Sequence, residues 1–149
     1  MRMDLVRLTF GIVAVAGTAM TAACGSSTSP TPTPTPPPTS GPTFSQQIQA
    51  QILTPACVSC HTDEGRTPSG GLNLKSGAAY AALVGVASTA KPGAVRVVAS
   101  NPSGSYLVQK LEGAADIVGL RMPRNGPPFL SDAQVALIRL WIQNGAPNN

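Results

Sequence analysis

Cys57-Val58-Ser59-Cys60-His61 sets two thiols three residues apart, with an imidazole directly after the second. Cys-x-x-Cys-His is a haem-attachment signature, and its spacing has a physical reason. One turn of chain brings both sulfurs to the two vinyl groups of a single porphyrin, and the adjacent imidazole then reaches the iron. Other chemistries fit these five residues less well. Structural zinc takes four Cys or His ligands, whereas the chain beyond Cys24 offers only Cys57, Cys60 and His61, crowded together. A thioredoxin-like redox pair wants a surrounding βαβ pattern, and none is visible. A plain disulfide between Cys57 and Cys60 stays open in an oxidising compartment.

If His61 is one axial ligand, the chain has few candidates for the other. His61 is its single histidine. Met1, Met3 and Met20 lie in a segment that reads as a removable leader, which leaves Met122. It sits in Arg121-Met122-Pro123-Arg124-Asn125-Gly126-Pro127-Pro128, a run with too many helix breakers to be anything but a loop. A lone Met can also be core filler, but core Met residues usually lie on apolar helical faces, and this one has Arg121 and Pro123 as neighbours. His opposite Met is a ligand pair of electron-transfer haems. Arg121 or Arg124 is a candidate partner for a haem propionate, with plain surface solvation as the alternative.

The leader is Met1 to Ala23: Arg2 and Arg7, an apolar run from Leu8 to Ala16, then small residues. That order is secretory, and the run is short of the roughly 20 apolar residues a membrane-spanning helix needs. Thr21-Ala22-Ala23-Cys24 looks like a bacterial lipobox, with Cys24 as the lipidation site; ordinary cleavage after Ala23 is its rival. Gly25 to Pro42 is a Ser, Thr and Pro tract with seven prolines and no hydrophobic period. Such a tract builds no packed core and acts as a semi-rigid tether with a reach on the order of 50 Å. The expected organisation is therefore 1–23 signal peptide of lipoprotein type, 24–42 lipidated Cys and Thr/Pro-rich tether, and 43–149 folded domain. The implied location is the bacterial cell envelope, periplasmic or on the outer surface, with the membrane reached through a lipid anchor.

Fifteen Gly, fifteen Pro and 4% aromatic residues give the domain a thin hydrophobic payload, which a bound cofactor would supplement. The formal charge of +4 invites a nucleic-acid reading. However, Arg66, Lys75, Lys91, Arg96, Lys110, Arg121, Arg124 and Arg139 are scattered, without a basic run or interleaved aromatics, so no nucleic-acid partner is expected. No nucleophile, base and orienter can be assembled once the single His is claimed, so no catalytic residue is expected.

The domain reads as mostly α, in short helices separated by Gly/Pro-rich loops. Phe44, Ile48 and Ile52 make one apolar stripe on Phe44 to Leu53, which Pro55 should end or bend. Tyr80, Leu83 and Val84 give a weaker stripe on Gly77 to Val84, closed by Gly85. Ser103 or Ser105 could cap Tyr106 to Glu112, where Tyr106, Leu107 and either Leu111 or the Lys110 stem share a face. Ser131 with Gln134 makes a capping box, and Val135, Ile138, Trp141 and Ile142 a core face, of a last helix that Gly145 caps. Trp141 should pack against the first helix or a haem edge. Ala94 to Ala99 is a candidate extended segment.

Five blocks, in order, resemble the cytochrome c domain common in planctomycete-type bacterial proteins. They are Cys57-Val58-Ser59-Cys60-His61, Gly70-Gly71-Leu72-Asn73-Leu74, Pro102-Ser103-Gly104-Ser105-Tyr106-Leu107, Arg121-Met122-Pro123, and Leu130-Ser131-Asp132 leading to Trp141-Ile142-Gln143-Asn144-Gly145-Ala146. The resemblance implies a small cytochrome c-like helical domain around one covalent haem c. Cys57 and Cys60 would be its thioether anchors, His61 the proximal ligand and Met122 the distal one. Thr62 departs from the Gly often found after the motif, and Gly113 to Leu120 is longer than the usual approach to the methionine. The expected function is one-electron transfer outside the cytoplasm with unidentified redox partner proteins, by a carrier rather than an enzyme. Two alternatives remain: a five-coordinate haem protein binding gas or peroxide, and an accessory haem module of a periplasmic oxidoreductase complex.

Overall fold

Helix periodicity carries most of the architecture, with backbone capping marking its ends. The computed structural model describes residues 41–62 and 70–149; the expected leader, Cys24 and most of the tether lie outside them. The described residues belong to one compact unit, Pro36–Asn149. Its elements are a π-wound helix, Phe44–Leu53, and four α-helices: α1 (Thr54–Ala56), α2 (Ala79–Leu83), α3 (Tyr106–Glu112) and α4 (Asp132–Gln143). Among the described residues, β pairing is limited to isolated bridges: Val84 with Val97, Val95 with both Ala87 and Ser105, and Val98 with Asn101. The fold is therefore helical, with Ala94 to Ala99 supplying the small extended content that its sequence suggested. No described helix is long and apolar enough to cross a membrane.

The first helix departs from the simple 3.6-residue stripe. Its carbonyls bond forward five residues: Ile48 N–H donates to Thr43 O at 3.2 Å and Thr54 N–H to Gln49 O. This wider winding brings Gln49 and Leu53 onto the buried face beside Phe44, Ile48 and Ile52. There Gln49 donates through Nε2 to Leu74 O at 3.0 Å and to Thr54 Oγ1 at 3.1 Å, while its buried Oε1 has no hydrogen-bond partner. Pro55 does not end the helix. It sits in the first turn of α1, where its missing N–H costs little, and the chain stays helical up to the cysteine motif.

Helix α4 matches its sequence pattern closely. Ser131 accepts from Gln134 N–H while the Gln134 side chain accepts from Ser131 N–H, completing the capping box. Val135, Ile138, Trp141 and Ile142 are all buried, each contributing on the order of 1.5–3 kcal/mol of burial. Trp141 packs on the first helix, its ring 5.2 Å from that of Phe44, and its indole N–H donates to Pro147 O at 2.9 Å. Phe44 also meets Tyr80 edge-on at 5.3 Å. Gly145 follows the Asn144 cap at φ 93, a conformation nearly free of cost only for Gly.

The middle helices are shorter or differently faced than the pattern suggested. The second covers Ala79–Leu83 rather than Gly77 to Val84, with Ala79 and Leu83 buried. In α3 the buried residues are Tyr106, Val108 and Leu111; Val108 enters the core, while Leu107 and Lys110 line a cavity. Ser105 holds the N-cap position, but its hydroxyl makes no capping bond. It donates to Asn101 O at 2.8 Å and accepts from Val98 N–H at 2.9 Å, tying α3 to the extended segment instead.

Candidate functional site

The cysteine motif forms one tight turn at the end of α1. Cys57 N–H donates to Leu53 O at 2.9 Å, and the N–H groups of Cys60 and His61 both donate to Cys57 O, at 3.1 and 3.0 Å. His61 O accepts from Leu74 N–H at 2.8 Å, which fixes the backbone after the motif to a fully buried leucine. Two helices of apolar packing thus stand behind three reactive side chains.

Those side chains open onto a cavity of about 510 Å³, within the size range of cofactor sites (about 300–1,000 Å³). Cys57, Cys60 and His61 line one part of it. Met122, Pro123, Arg124 and Asn125 line another, so the fold brings together the motif and a methionine 61 residues later. Leu72, Leu74, Leu83, Leu107 and Leu111 supply apolar surface between them. Met122 is half-buried against the core and its N–H donates to Lys110 O at 2.9 Å. Arg121-Met122-Pro123-Arg124 is non-helical, as its prolines predicted.

The electrostatics of the cysteines bear on the rival readings. Burial, and then the neighbouring Cys60, pushes the Cys57 thiol up to about 11. A disulfide-exchange nucleophile is made in the opposite way, by lowering a thiol toward thiolate. Cys57 and Cys60 are separate thiols here. Among the described residues, no group of three or more His, Cys, Asp and Glu side chains is gathered closely enough to hold a metal ion.

Two cations on the cavity wall escaped sequence reasoning. Arg96 is only 9% exposed; its guanidinium donates to Ala82 O at 2.8 Å and to Gly70 O and Gly71 O at 3.3 and 3.5 Å. All of these are neutral acceptors, and burial lowers its pKa from the ordinary value. Lys110 is likewise lowered by burial and donates to the carbonyls of Val118, at 2.9 Å, and Leu120. The available signal for Arg96 was a single charge inside the apolar run Val95-Arg96-Val97-Val98. Of the two arginines flanking Met122, Arg124 lines the cavity. Arg121 is committed elsewhere, donating to Leu111 O at 2.7 Å with its guanidinium 4.2 Å above the Phe129 ring.

Comparison with protein-family models, curated proteins and solved structures finds no match to this chain. The site therefore has to be judged on its own chemistry. Two thiols and an imidazole at haem-attachment spacing, a thioether from a separate loop, leucine walls and one buried arginine suit a large, flat, apolar group that carries acidic substituents. Haem meets that description.

Proposed function

We propose that this chain is a monohaem c-type cytochrome that carries single electrons outside the cytoplasm. The observation that carries the reading is the shared cavity: Cys57, Cys60, His61 and Met122 line the same apolar space although they come from two distant segments. Cys57 and Cys60 would anchor the haem by thioether bonds, and His61 and Met122 would ligate its iron. Bound there, the haem would supply a one-electron ferric/ferrous couple.

The rest of the work belongs to the protein. Leu72, Leu74, Leu83, Leu107 and Leu111 exclude water and disfavour the more highly charged oxidised state, which raises the reduction potential. Arg96 offers a buried cation to a propionate, and the pairing would offset the cost of burying either charge alone. If His61 and Met122 both held the iron, no position on it would remain for substrate, so the reading is of a carrier and not an enzyme. The sequence of Met1 to Cys24 supports export and lipidation at Cys24, and the Thr/Pro tract would hold the domain off the membrane while it meets redox partner proteins.

Optical spectroscopy of the exported protein tests this directly. The expected result is a covalent c-type spectrum with a sulfur-to-iron charge-transfer band when oxidised and no ready carbon monoxide binding when reduced. Cys57→Ala and Cys60→Ala together should abolish covalent haem. Met122→Ala should keep the haem, remove the band and admit carbon monoxide. Rapid carbon monoxide binding by the unaltered protein would instead establish the five-coordinate gas- or peroxide-binding alternative.

A further inference from the structure

The approach to Met122, Gly113 to Leu120, has little apolar anchorage. Val118 is 51% exposed and Leu120 59%, so burial of these two large side chains does not fix its course. What ties it down is a row of polar contacts from α3. Tyr106 and Lys110 stand four residues apart, on one face of that helix. The Tyr106 hydroxyl accepts from Val118 N–H at 2.9 Å, and the Lys110 ammonium donates to the carbonyls of Val118 and Leu120. The next residues continue the same attachment, with Arg121 Nε donating to Leu111 O and Met122 N–H to Lys110 O. Tyr106 and Lys110 also line the cavity, so the groups that hold the loop are part of the wall that the methionine faces.

We infer that Tyr106 and Lys110 are positioning residues for Met122: they staple the loop Gly113 to Leu120 onto α3 and thereby set whether the thioether stays on the iron. This inference rests on the haem reading above. Its physical basis is that a thioether is a weak, neutral ligand, so a modest loss of order in the loop that carries it shifts the balance between bound and detached Met. The length of the approach matters here, because each residue of free loop adds conformations in which the sulfur points away. Val118 is the hub, since both its N–H and its C=O are engaged by the two side chains.

The test uses the exported, haem-loaded protein and reads three signals: the oxidised charge-transfer band from sulfur, the carbon monoxide association rate of the reduced form, and amide exchange at Val118. Tyr106→Phe keeps the ring and removes only the hydroxyl. It should raise the Met-detached fraction, and with it the carbon monoxide rate, about fivefold, the effect of one neutral hydrogen bond. Lys110→Met keeps the stem, removes two charge-assisted bonds, and should give an increase of roughly tenfold or more with loss of most of the band. Lys110→Arg, which can still reach two carbonyls, should restore most of the band. Far-ultraviolet dichroism and covalent haem content should stay unchanged throughout.

The inference is overturned if Lys110→Met and Tyr106→Phe leave the band, the carbon monoxide rate and Val118 exchange as they were. Met122→Ala separates that failure from failure of the underlying reading. If the unaltered protein shows no sulfur band and Met122→Ala changes nothing, Met122 is not a ligand and both ideas fall. If Met122→Ala abolishes the band while the staple variants do not disturb it, only the staple falls.

Discussion

The cavity has two walls built on different physics. The wall carrying Cys57, Cys60 and His61 continues a helix whose Ile48, Ile52 and Leu53 are almost wholly excluded from water, backed by Trp141, Ile138 and Ile142 of α4. The wall carrying Met122 is a glycine- and proline-bounded loop held by Tyr106, Lys110 and Arg121 through hydrogen bonds, with Val118 and Leu120 left in solvent. Burial is cooperative and indifferent to small shifts, so the first wall should be stiff. Hydrogen bonds at a surface compete with water and net only about 1 kcal/mol each, so the second should open at lower cost. On the proposed reading this division would be useful, because the thioether-anchored side would fix the haem while the other would tune how firmly the iron is closed.

The largest expected effect comes from breaking the stiff wall. Trp141→Ala removes a fully buried ring that touches Phe44 and loses the bond to Pro147 O. It should cost on the order of 3–5 kcal/mol, a large share of what a domain this size possesses. Denaturant unfolding measures it, and a loss below about 1 kcal/mol would show that the helices are not the principal support. Haem retention should fall with global stability, not ahead of it.

An intermediate effect should come from the junction of α3 with the Met122 loop. Gly113 ends α3 at φ 74 and its N–H donates to Gln109 O. A Cβ there would stand 3.0 Å from Arg121 Cδ, so Gly113→Ala adds left-handed strain and pushes on the residue preceding Met122. A destabilisation of about 1–2 kcal/mol is expected, smaller than that of Trp141→Ala. Yet it should detach Met122 more readily, as shown by a rise in carbon monoxide binding at temperatures where the protein is still folded. Equal detachment in Trp141→Ala and Gly113→Ala, compared at matched stability, would erase the distinction between the walls.

Local order was legible in the sequence where it is local in space. Ser131 with Gln134, and the spacing of Val135, Ile138, Trp141 and Ile142, describe α4 fully because cap and stripe lie in one continuous stretch. The first stripe was visible through Phe44, Ile48 and Ile52, but the five-residue winding with Gln49 and Leu53 also buried was not, and the Leu74 carbonyl that accepts from Gln49 lies 25 residues away. Helix α3 misleads a periodicity argument because it is short and has two covered faces, Val108 toward the core and Leu107 toward the cavity. Cys57, Cys60, His61 and Met122, which line one cavity, could be picked out by residue type alone. Arg96, Lys110 and the Tyr106 to Val118 contact could not, because a wall assembled from separate segments leaves no fixed spacing in the chain.

The smallest effect is the one that best isolates the soft wall. Lys91 and Asp116 form an ion pair at 2.5 Å at the outer edge of the loop, with the Asp116 side chain 69% exposed. The Lys91 ammonium, by hydrogen bond and by charge, holds the Asp116 carboxyl below its ordinary value of 3.8. A carboxyl lowered in the folded state contributes stability that is complete above its unfolded pKa and disappears as the pH falls through the folded one. Any difference between the unaltered protein and Asp116→Asn should therefore be constant from neutral pH down to about pH 5 and vanish only below the ordinary carboxylate range. It should be small throughout and smaller still in high salt, because exposed pairs are screened. The sulfur charge-transfer band should barely move in this variant. If Asp116→Asn instead loosened Met122 as much as Lys110→Met does, the outer ion pair and not the two side chains of α3 would be holding the loop.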